Sequence, residues 1–178
     1  MRLWLIISTA ATLMASPALA SESEPYGNID GWSVFKSSDN CNLLAEFEKN
    51  TNLFISYVVG TNTVNVIIDD PAFKSVKDDQ KYPVSIYFRK KGRIDDGWGD
   101  MDARGVVTEN ITAIKLTFDA RDFLDDFKAS DTFLIMRDES KVVVESFSLK
   151  QSAAAIAKLE QCSQEVHRMN PADPFSVR

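Results

Sequence analysis

Residues 148–166, SLKQSAAAIAKLEQCSQEV, constrain the fold more than any other stretch. Leu149, Ser152, Ile156, Leu159, Cys162 and Val166 recur at steps of three and four, which sets them on one face of an α-helix. Ser148 followed three residues later by Gln151 reads as a capping box at its start. An apolar helical face needs a surface to lie on. This helix also carries Cys162, one of only two cysteines, and can be tied through it to the other, Cys41.

The N-terminus indicates a compartment in which such a bond persists. Arg2 precedes an apolar run from Leu3 to Ala11, and the segment ends in Ala18-Leu19-Ala20. A short apolar run with an A-x-A site is the pattern of a cleaved secretory signal peptide over residues 1–20; it is short for an uncleaved membrane anchor. No later segment is apolar for long enough to span a bilayer as a helix. The expected localisation is periplasmic or secreted, where two cysteines most simply form one disulfide. A Cys41–Cys162 bond would close a loop of about 120 residues, worth roughly 4–5 kcal/mol on the chain-entropy model.

Between the signal and the helix the sequence reads as short strands punctuated by turns. Residues 21–30 are polar with Pro25 and are expected to be a flexible leader. Two-residue alternation or β-branched runs mark strands over 31–36, 42–48, 53–59, 64–69, 83–89, around 114–118, 132–137 and 141–147. Asn-rich and Asp-Pro punctuation separates several of them. Over 119–128 the period changes, with Phe123, Leu124 and Phe127 on one side of a short helix capped by Asp119 or Asp122. The expectation is one mostly β domain over 31–168. It would be an antiparallel β-sandwich or partly open barrel, carrying a short helix and the C-terminal amphipathic helix, with an irregular tail at 169–178.

Composition narrows the partners. The formal net charge of −6 repels nucleic-acid backbones, and the one basic cluster, 89–93, runs straight into Asp95 and Asp96. A cationic protein partner fits that charge; an excess that merely keeps the chain soluble fits it too. Asp95, Asp96, Gly97, Trp98, Gly99, Asp100, Met101 and Asp102 form the most unusual interval, on what reads as a long hairpin connection over 92–105. Its aspartates with Trp98 are the candidate binding residues, because rigid β scaffolds display recognition groups on connections. Glycines among carboxylates also suit calcium in composition, but the alternating ligands and terminal Glu of an EF-hand are absent, so no metal site is assigned.

Catalytic machinery is not apparent. Asp69-Asp70, Asp78-Asp79, Asp95-Asp96 and Asp125-Asp126 are adjacent pairs, and adjacent residues do not face one another on a strand or helix. His167, the sole histidine, falls at the end of the last helix, where a solvated imidazole is favoured by the dipole. No G-x-S-x-G, P-loop or dinucleotide motif occurs, so no catalytic residue and no cofactor is expected.

Gly31-Trp32 on the first strand, Cys41 soon after, and Ser148-Leu149-Lys150 leading into Ala153, Ala154 and Ala155 resemble the invasion-associated locus B family of small periplasmic or envelope proteins. Gln151 and Ser152 stand where that family carries a Gly-Phe pair. The resemblance implies a β-rich exported domain, tied in some members to host-cell invasion, with no catalytic residues to carry over. The leading expectation is thus a non-enzymatic exported binding module. An inhibitor or immunity protein against a secreted enzyme or toxin is the alternative, and a carboxylate-based hydrolase the third.

Overall fold

The computed structural model describes residues 23–58, 61–94, 97–138, 140 and 142–169. Residues 1–20, expected as the signal peptide, and the expected tail beyond Met169 lie outside these. The elements run β1 (Glu24–Ile29), β2 (Trp32–Lys36), β3 (Asn40–Glu46), a 3₁₀ turn (Glu48–Asn50), β4 (Asn52–Val58), β5 (Thr63–Asp69), β6 (Lys81–Lys90), β7 (Arg93–Ile94), β8 (Gly99–Val107), β9 (Thr112–Asp119), α1 (Ala120–Ala129), β10 (Thr132–Arg137), β11 (Val143–Ser148) and α2 (Ser152–Met169). Strand order is β1-β2-β3-β4-β5-β9-β8-β6-β10-β11, with β7 paired to the end of β6, and each pairing is antiparallel. The fold is mostly β, as expected: one antiparallel sheet left unclosed between β1 and β11, with two helices.

A single inward register runs across the sheet. Val34 pairs with Leu43, Leu43 with Ile55, Ile55 with Val66 and Val66 with Leu116. On the other arm Ile86 pairs with Ile135, and Phe133 with both Phe88 and Phe147. All of these are buried, because side chains at alternate positions share one face of a strand. Side chains, not a backbone ladder, bring the two arms together. The Phe47 and Phe147 rings lie 4.9 Å apart, and Trp32 Nε1 donates to the Lys150 carbonyl at 3.0 Å.

Helix α1 plugs one end of this curled sheet. Asp119 caps it, accepting from the backbone of Arg121 and Asp122 at 3.1 and 3.3 Å. Its Phe123 stacks on Phe118 at 4.3 Å and its Phe127 meets Trp32 edge-on at 5.8 Å. Helix α2 covers the β1–β4 arm, burying Ile156, Leu159, Cys162 and Val166. Cys162 is bonded to Cys41 of β3, with Cα atoms 6.1 Å apart. The helices also hold each other: Ser152 Oγ donates to the Phe127 carbonyl at 3.1 Å, and Lys128 bridges to Glu160 at 2.9 Å.

Three boundaries differ from the sequence expectation. Residues 21–30, expected as a flexible leader, contain β1, an edge strand that tolerates Pro25 because edge positions need not donate on both sides. Tyr26 on it donates to Glu165 Oε1 of α2 at 2.6 Å. Much of the interval 92–105, expected as a connection, is strand β8. The capping box at Ser148 does not form, because Ser148 stays in the β10–β11 ladder; the chain turns at Gln151, φ 63°, and α2 starts at Ser152.

Ile156→Asp should abolish cooperative unfolding, since an unpaired carboxylate would replace a fully buried side chain. Lys158, whose ammonium lies 4.4 Å from the Tyr26 ring centroid, should cost only about 0.5–1 kcal/mol on change to alanine. Thermal melts of both variants check this; a wild-type transition for Ile156→Asp would contradict the packing of α2.

Candidate functional site

The acidic interval does not form one cluster. Asp95 and Asp96 lie outside the described residues. Asp100 and Asp102 alternate along β8 with Met101 and Ala103, so both carboxylates project from the outer face of the sheet. Asp100 Oδ1 accepts from Ser85 Oγ at 2.7 Å, and Asp138 Oδ1 stands 3.2 Å from the same hydroxyl. Asp102 pairs with Lys81 at 2.8 Å, an exposed bridge worth little stability. Arg104, Lys115 and Thr117 continue this face, and with Lys81 and Asp102 they line a shallow cavity of about 330 Å³.

Trp98 points the other way. Its ring meets Phe118 and Phe123 edge-on at 5.1 and 6.0 Å, and its Nε1 donates to Asp126 Oδ2 at 2.8 Å. Two glycines permit the inversion. At Gly97 a Cβ would collide with the Ile86 carbonyl and the Tyr87 ring, and Gly99 holds φ at 72° where the strand begins. The structure therefore separates the candidate residues: Asp100 and Asp102 outward, Trp98 half-buried against the core. Such a face can bind charge, and its Ser85 is fully buried beneath it. Among the described residues no group of three or more His, Cys, Asp or Glu side chains could hold a metal ion. His167 is exposed at the end of α2 and lines a polar cleft of about 530 Å³ between the helices, with Arg121, Asp125 and Glu160.

A second polar constellation sits at the rim of the curled sheet opposite α1. Thr51 precedes inward Leu53, Asp70 follows inward Ile68, and Glu145 pairs with inward Ile135, so all three fall in the inward register. Thr51 Oγ1 donates to Asp70 Oδ2 at 2.5 Å, and the Ala72 amide donates to Asp70 Oδ1 at 2.6 Å. The Asp70 and Glu145 carboxyl groups hydrogen-bond each other, with Lys49 nearby. Burial, then the bond to Asp70 and its charge, push the Glu145 carboxyl up to about 7. Burial also raises Asp70, but the donors Thr51 and Ala72 and its bond to Glu145 outweigh it and hold Asp70 below the usual carboxylate range. Sequence reading took Asp70 as a turn residue beside Asp69. The missed signal was Glu145, which shares its strand face with Phe147.

A long-range disulfide, an open antiparallel sheet and two packed helices define a small β-barrel-like domain. In fold it is similar to the crystal structure of invasion associated protein B from Bartonella henselae, with a TM-score of 0.50 and 15% sequence identity, over 81% of this chain and 99% of that one. No protein-family profile matches the sequence, and no curated protein matches it.

The pH dependence of stability follows from the rim pair. A carboxyl raised on folding stabilises the native state at low pH, and that contribution fades as pH climbs from the ordinary 4.5 through about 7. Asp70 acts oppositely and only at acid pH: its contribution is present above 3.8 and lost as pH falls through its lowered value. Wild-type melting temperature should therefore fall relative to Glu145→Gln between about pH 5 and about pH 8, as glutamine keeps a donor to Asp70 without titrating. Melts of both proteins across that range check it; parallel profiles would contradict it.

Proposed function

We propose that this chain is a non-enzymatic, exported binding module of the bacterial periplasm or envelope, distantly related to the invasion-associated locus B family. The observation that carries the reading is the fold itself, similar to that of invasion associated protein B and stapled by a bond between Cys41 and Cys162 that an oxidising compartment preserves. The A-x-A pattern ending at Ala20 and the Ser148-Leu149-Lys150 segment before the last helix agree with it. The partner is a cationic protein surface, and the face that meets it is the outer side of β8, where Asp100 and Asp102 stand on a stretch paired to β6. Trp98 supports the strand from beneath and does not itself contact the partner.

Capture from periplasmic extract tests this. The Asp100→Asn, Asp102→Asn double variant should retain its melting temperature within a few degrees yet lose capture several-fold, and the wild-type complex should weaken as salt rises. Trp98→Ala should lower stability by about 2–3 kcal/mol, less than a fully buried ring would, and leave the affinity of the folded fraction unchanged. Capture indifferent to both aspartates would overturn the assignment of this face. Capture of a lysozyme or toxin whose activity is then blocked would replace the reading with that of an inhibitor.

A further inference from the structure

The rim opposite α1 opens into a cavity of about 540 Å³. Its walls are Phe73, Val76, Tyr82, Val84, Ile114 and Val144. Val84 and Ile114 belong to the inward register, so the cavity is the unplugged mouth of the curled sheet, a place where β-barrels commonly hold small ligands. Val142 and Val143, where edge strand β11 begins, extend the apolar wall to the surface at 59% and 46% exposure.

Charge around the mouth is one-sided. Among the described residues lining the cavity, the acidic and basic side chains are Glu145 and Arg137. Glu145 stays protonated up to about 7, and the charge behind it on Asp70 is already satisfied by Thr51 and Ala72. Arg137 is exposed, pairs in register with Val84, and has no ion-pair partner among the described residues. An apolar cavity with a neutral side wall and one unpaired guanidinium at its lip complements an apolar tail that ends in an anion.

We propose that this mouth binds a single-chain amphiphile with a carboxylate head, the tail lying among Phe73, Val84, Ile114 and Val144 and the head meeting Arg137. The site is separate from the outer face of β8, so either can fail without the other. The head group stays at the lip, where its charge keeps partial hydration and gains a guanidinium. A cationic amphiphile of equal length would place its head against Arg137 and lose the same contact.

Calorimetric titration with laurate and with dodecyltrimethylammonium, both below their micelle concentrations, tests this. Laurate should bind saturably with a dissociation constant on the order of micromolar and raise the melting temperature. Dodecyltrimethylammonium should bind at least about tenfold more weakly, and Arg137→Gln should lower laurate affinity about tenfold while leaving the ligand-free melt unchanged. Val143→Asp, which places a carboxylate at the apolar lip, should weaken laurate as well. Absence of saturable laurate binding, equal affinity for the two amphiphiles, or laurate binding indifferent to Arg137→Gln would each overturn the proposal. So would binding to phosphatidylglycerol vesicles without binding to monomeric laurate, which would make the lip a membrane contact.

Discussion

The bond between Cys41 and Cys162 is the constraint on which the rest of the molecule depends. It ties the start of β3 to the last helix across 121 residues, enclosing every other strand but β1 and β2 within one covalent loop. An antiparallel sheet that does not close on itself leaves two edges and an exposed apolar interior. Here α2 lies over one arm, pinned by the disulfide and by Tyr26 and Lys36, which both reach Glu165. α1 then fills the near end with Phe123 and Phe127. The aromatic chain from Trp98 through Phe118, Phe123, Phe127, Trp32 and Phe47 to Phe147 joins the two arms where backbone pairing does not.

This arrangement divides the interior into a sealed end and an open one. The sealed end is aromatic, with Phe118, Phe123, Phe127 and Phe133 buried against one another, so packing dominates it. At the open end Thr51, Asp70 and Glu145 replace apolar residues in that register, and a buried carboxyl pair is tolerable only because one member keeps its proton and the other is fully hydrogen-bonded. Stability therefore comes from the α1 end, and pH sensitivity from the other. The outer face of β8 belongs to neither: its alternating Asp100, Asp102 and Arg104 contribute little to the core.

Much of the fold was legible because its signals are local. Alternation over 83–89 gave the inward set Val84, Ile86 and Phe88, and the three-four spacing of Ile156, Leu159 and Cys162 gave the buried face of α2. Strand β8 was not legible, because its inward residues, Met101, Ala103 and Gly105, are mostly too small to produce a hydrophobic alternation, while its outward aspartates read as loop. β1 was hidden by Pro25 and Gly27, which an edge strand with a register shift between them accepts. The inward turn of Trp98 depends on glycines whose role appears only once β6 lies against them. Glu145 meets Asp70 across 75 positions of sequence, a contact between the ends of elements that no periodicity encodes.

The most direct test of the central claim is peptide mapping of the native protein under non-reducing conditions. The structure predicts a single linked species joining the Cys41 peptide to the Cys162 peptide, resolved into two only after reduction. Two thiols alkylated in the native, unreduced protein would mean that α2 is not anchored to β3, and the account of how the open sheet is closed would not stand.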